Sequence, residues 1–160
     1  MDRRLSWNKK KKGLVMATLR QVTNVIKKIA MAQPIVNSSY EGSIYDLNAN
    51  PSNKYATVVI TQQQHTETDN LFVYNFYVFY ADRLVDDLED NRLQVQSVGL
   101  QVLSNIFKTI EEDLDWVVTG RNYTTFEQRF TDELAGAYVS VRIETPRDSV
   151  CPEYYDEEDE

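Results

Sequence analysis

Apolar and polar positions along this chain fall into successive periodic stretches, and their order predicts its fold. Val15, Leu19, Val22, Ile26 and Ile29 recur at spacings of four and three residues, which is one face of a helix. That spacing predicts a helix from about Leu14 to Gln33, stopped by Pro34. Ile35 to Asn53 is rich in Ser, Asn and Tyr, is broken by Gly42 and Pro51, and reads as a crossing segment. Tyr55 to Gln62 alternates as a strand, with Val58 and Ile60 on one face and Thr57, Val59 and Thr61 on the other. The polar loop Gln63 to Asn70 joins it to the next strand as a hairpin.

That next strand, Leu71 to Ala81, is apolar on both faces: Phe72, Tyr74, Phe76, Val78 and Tyr80 alternate with Leu71, Val73, Tyr77 and Phe79. Such a strand must be covered on both faces, by its own helices or by another subunit. Asn91 with Gln94 has the form of a capping box and predicts a second helix reaching about Asp113. It carries two apolar stripes, one of Leu93, Leu100, Leu103, Phe107, Ile110 and Leu114, the other of Val95, Val98, Val102 and Ile106. One stripe can fill a domain core, so the other is expected to meet a partner. Asp115 to Asn122 reads as a link containing a turn, Tyr123 to Thr131 as a third strand, and Gly136 as a tight turn or bulge. Tyr138 to Thr145 is a clean amphipathic strand, with Val139, Val141 and Ile143 inward and Tyr138, Ser140, Arg142 and Glu144 outward. The order predicts an α+β fold: a small antiparallel sheet of about four strands flanked by two long helices. Val95, Val98, Val102 and Ile106, with Tyr138 and Arg142, are the candidate subunit interface.

Charge divides the chain into three parts. Residues 1–28 hold nine Lys and Arg against Asp2 alone, a net of +8 in a chain of net -8, so the remainder carries -16. Glu153, Asp156, Glu157, Glu158, Asp159 and Glu160 crowd the last eight residues. We read a basic flexible arm at 1–13, a single domain at 14–146 and an acidic tail at 147–160. In the arm, Leu5 and Trp7 are candidate anchors, beside the unbroken cationic run Lys9, Lys10, Lys11 and Lys12. Opposite charges at the two ends suggest contacts in trans with a neighbouring subunit or with nucleic acid. No apolar run reaches the roughly 18 residues of a membrane span, so no membrane partner is expected.

Chemistry-bearing residues are sparse. The acidic run Asp82 to Asp90 lacks the glycine and ligand spacing of a calcium loop, and acids before a helix favourably meet its dipole. His65 stands in a polar loop with no nucleophile motif beside it. Cys151 is the single cysteine, which excludes an internal disulfide. The glycines never approach a phosphate-loop spacing. We expect no enzyme, no cofactor and no metal.

The stretch YNFYVFYADRLVDDLEDNRLQVQSVGLQVLSNIF, followed by FEQRFTDELAGAYVSVRIETP, resembles the neck and tail-completion proteins of tailed bacteriophages. It is closest to those of phages infecting Bacteroidetes-type bacteria, including the crAss-like phages. The resemblance covers roughly Leu14 to Pro146 and rests on structural rather than catalytic motifs. It implies a tail-terminator-like subunit that closes into six- or twelve-membered homo-oligomeric rings. Such a ring would join head and tail components in the virion, contact other neck, portal-adjacent or tail rings, and surround genomic DNA without binding it specifically. The basic arm and the acidic tail match nothing in that pattern. Two other readings stay open: a nucleic-acid-binding accessory protein using the arm, and a metal-dependent enzyme or regulator using Asp82 to Asp90.

Overall fold

A computed structural model describes residues 17–48, 54–68, 70–84, 91–114, 116–129 and 133–146. The basic run 1–13, Val15, the segment 85–90 of the acidic run and the acidic tail lie outside the described residues. The first helix, α1, spans Leu19–Ala32. Thr18 caps it through a capping box: the Gln21 amide donates to the Thr18 hydroxyl at 3.1 Å, and the Thr18 amide donates to Gln21 Oε1 at 2.9 Å. Its buried face is Val22, Ile26 and Ala30, with Leu19 and Ile29 partly covered. The second helix, α2, runs over Asn91–Asp113.

The strands are β1 (Ser38–Glu41), β2 (Thr57–Gln62), β3 (Thr66–Glu67), β4 (Leu71–Arg83), β5 (Val117–Arg129) and β6 (Glu133–Pro146). They form one six-stranded sheet in the order β1-β2-β4-β6-β5, with β3 added beside the start of β4. The expected sheet of about four antiparallel strands flanked by two long helices is therefore corrected. The described residues form six strands, β1 pairs parallel to β2, and α1 is short at 14 residues. The helices do not flank the sheet either, because both lie on one face. Val58, Ile60, Tyr74, Phe76, Val78, Tyr80, Val139, Val141 and Ile143 turn to that face and pack with Val22, Ile26, Leu103, Ile106, Phe107 and Ile110 in one core.

Two glycines set the close packing. Gly136 lies inside β6, opposite Ala81 of β4 and Phe126 of β5, rather than in the expected turn. A Cβ there would sit 1.8 Å from the Tyr80 carbonyl oxygen, so only glycine allows this approach of the two strands. Gly99 on α2 lets the helix lie against the Tyr80 ring, 2.8 Å from where its Cβ would be. In β5 the register shifts between Thr119 and Asn122, where Gly120 takes a left-handed φ of 62°. This bulge is what made Asp115 to Asn122 look like a link: β5 begins before it and continues after it.

Candidate interaction surface

With both helices on one side, the other face of the sheet is left partly open. Alternation along β4 and β6 sends Tyr77, Phe79 and Tyr138 to it, and the bulge in β5 brings Phe126 onto the same face. The four rings touch in series. Tyr138 lies 5.7 Å from Tyr77 and 5.1 Å from Phe79, and Phe79 lies 6.2 Å from Phe126, mostly edge to face. Beneath them Val59, Ala81 and Leu134 form a second small buried cluster, joined by Ile44 and Tyr55.

A 3-10 turn at Ile44–Asn48 rises beside this platform. It is tied back to the sheet: the Gly42 amide donates to the Ile60 carbonyl at 2.9 Å, and the Thr61 hydroxyl donates to the Gly42 carbonyl at 2.6 Å. The turn and the rings enclose an open cleft of about 410 Å³, lined by Ile44, Tyr45, Thr61, Tyr77, Phe126 and Tyr138. Tyr77 is 36% exposed and Tyr45, on the rim, 71% exposed. Arg142 is exposed on the same face, opposite Asn75 and Thr119. The surface is suited to hold an apolar or aromatic group by stacking, with a cation at one end.

The sequence-predicted interface divides on this geometry. Tyr138 and Arg142 lie together on the open face, on strand β6. Val95, Val102 and Ile106 do not reach a surface; they are buried in the core, and Val98 packs partly covered against it. The helical stripe is corrected for a simple reason. Its two apolar rows sit at adjacent positions, Val102 beside Leu103 and Ile106 beside Phe107, so they merge into one wide buried face. α2 lies against β4, β5 and β6 and also against α1, and that seat uses both rows. On the outer side of the helix Leu93 is left exposed. Leu5, Trp7, Lys9, Lys10, Lys11 and Lys12 lie outside the described residues.

The other candidates have structural work. His65 Nδ1 accepts from the Asn75 amide at 3.1 Å, Nε2 stands 3.2 Å from Gln62 Oε1, and the ring meets Tyr74 and Phe76 edge-on. Burial lowers its pKa, consistent with a neutral ring that clamps the 63–65 loop to β4. The Asp82 carboxylate accepts from the Arg83 amide at 2.8 Å, while burial pushes its pKa up. Among the described residues no group of three or more His, Cys, Asp or Glu gathers in a way that could hold a metal ion. No helix among them is long and apolar enough to cross a membrane. Sequence reasoning missed the cleft because its far wall is the 3-10 turn, in the segment read as a crossing, where Ile44, Tyr45 and Leu47 follow no helical or strand period. Compared with known proteins, the chain matches no family model and no curated relative.

Proposed function

We propose that this chain is a structural virion protein, a ring-forming neck or tail-completion subunit of a tailed bacteriophage. The observation that carries the reading is the open aromatic face. A sheet covered by helices on one side and carrying four touching aromatic rings on the other favours a further packing partner for that face. The resemblance of the 74–107 and 126–146 stretches to phage neck proteins supports the same reading from the sequence. In it the subunit repeats around the DNA exit channel and touches neighbouring neck, portal-adjacent or tail rings. The strongly negative charge of the chain beyond residue 28 suits a channel that DNA must pass without sticking. The decisive test is the size of the purified full chain by light scattering and negative-stain imaging. Closed particles of one size are expected. A chain that stays monomeric at every concentration, or that binds DNA with steep salt dependence through its arm, overturns the reading.

A further inference from the structure

A sheet with two ends has two edges, and here they are unlike. β5 is the outermost strand on one side and pairs with β6 alone among the described residues. Beyond its bulge it runs from Asn122 to Arg129 in unbroken register with β6. Asn122, Tyr123, Thr124, Thr125 and Glu127 are exposed along it. That stretch has no proline, no lysine and no second bulge to guard the edge; its charges are Glu127 and Arg129. Its charged neighbours are turned toward α2 instead, Glu127 to Arg92 at 3.6 Å and Arg121 to Glu111. On the opposite side the sheet ends in β1, which pairs with β2 alone among the described residues.

The ladder fixes how these two edges relate. β1 runs with β2, β2 against β4, β4 against β6, and β6 against β5. β1 and β5 therefore run in opposite directions. A second copy in the same orientation, set beside the first, would bring its β1 antiparallel against β5. The open faces would then lie on the same side of a continuous sheet. In that arrangement the neighbour's chain advances along β1 toward the Val117 end of β5. Its Asp46, on the 3-10 turn, approaches the end of the first copy that carries Arg142 on the same open face. The opposite strand direction would set that acid at the far end. Charge and direction thus select the same pairing.

We propose that subunits join head to tail by strand addition, the β5 edge of one copy accepting the β1 edge and following 3-10 turn of the next. The inference rests on the ring reading and names its contact. The contact is heterologous, since different surfaces meet, and repetition of it closes a ring or extends a filament. β1 is short, so the ladder alone is small. The turn that follows it carries the exposed Tyr45, which adds apolar surface to the backbone pairing.

The test is cysteine cross-linking of the full chain carrying Cys151→Ser, with Glu41→Cys on one batch and Thr124→Cys on another. Both positions are exposed, and circular dichroism of each variant verifies its fold. With a short bis-maleimide, the mixture should gain a covalent dimer that neither variant gives alone. The double variant should give a ladder extending past the dimer. A dimer from Thr124→Cys alone would mean that two β5 edges pair about a two-fold axis, and would overturn the proposal. Particles of ring size without any cross-link between positions 41 and 124 would overturn this contact and leave the ring standing. A strictly monomeric chain would overturn both.

Discussion

Replacing Gly136 by alanine tests the sheet at its tightest point. The added Cβ would lie 1.8 Å from the Tyr80 carbonyl oxygen, 2.8 Å from its carbonyl carbon and 3.2 Å from Ala81 Cα. These are main-chain atoms of β4, so no side-chain rotation relieves the clash. The two strands must part by an ångström or so where Ala81 faces Gly136, in the middle of the sheet. Loss of one or two ladder hydrogen bonds costs about 1 kcal/mol each. Overpacking of the surrounding core adds about 1–3 kcal/mol. Stiffening of the unfolded chain returns about 0.4–1 kcal/mol. The net expectation is a loss of about 2–4 kcal/mol, a large share of the roughly 5–15 kcal/mol that holds a domain folded.

Urea unfolding followed by circular dichroism measures it, with the midpoint falling and the slope unchanged. Gly99→Ala supplies the comparison. Its Cβ meets the Tyr80 ring at 2.8 Å, a side chain that can shift, and alanine favours a helix by about 0.8–1 kcal/mol over glycine. Gly99→Ala should therefore cost clearly less than Gly136→Ala. A Gly136→Ala protein within about 1 kcal/mol of the parent, the size of a typical substitution, would refute the close approach of β4 and β6.

Val102→Asp or Ile106→Asp should unfold the chain rather than release a folded subunit, because each places an unpaired charge in the core; loss of circular dichroism signal at low temperature verifies this. Val141→Ala should cost about 1–3 kcal/mol in urea melts, whereas Arg142→Ala should stay within about 0.5 kcal/mol. His65 has a folded pKa below 6.5, so the unfolded chain binds the proton more readily; stability is full above pH 6.5 and falls as pH drops through the folded pKa, a slope that His65→Gln should flatten. Burial, with Asp46 and Tyr55 beside it, pushes Tyr40 up to about 12; the unfolded phenol ionises from pH 10, so stability should fall between pH 10 and 12, less steeply in Tyr40→Phe.

The helices and inner strands were legible because their residues obey one period at a time. Val22 and Ile26 fall at helical spacing, and Val139, Val141 and Ile143 alternate, so each face could be assigned without knowing its neighbours. What escaped was set by pairing at a distance. Ser38–Glu41 has no apolar alternation and becomes a strand because β2 lies beside it in parallel. β5 hides behind Gly120, whose bulge carries the signature of a turn. The helix interface was misplaced for a related reason. Two apolar rows on a helix indicate a wide buried face, and periodicity cannot say whether the same chain or another one covers it. On β4 the same two-sided pattern was resolved the other way, with helices over Tyr74 and Phe76 and Tyr77 left exposed in the cleft beside the 3-10 turn.

The size of the open face constrains how it can be used. If a contact removes about 200 Å² of apolar ring surface from water, the gain is on the order of 5 kcal/mol. Bringing two proteins together costs an estimated 4–15 kcal/mol in lost motion. The rings alone therefore barely hold a pair, and the short β1 ladder adds little more. A closed ring changes the balance, because every subunit makes two contacts and the last one forms within an assembly already tethered, at high effective concentration. Assembly should thus be all or none. Sedimentation velocity across a range of concentrations should show monomer and one large species, with little dimer or trimer between them. A stable dimer that persists on dilution would mean that a stronger, self-complementary contact exists, and that the weak head-to-tail contact between the β5 and β1 edges is not what joins the subunits.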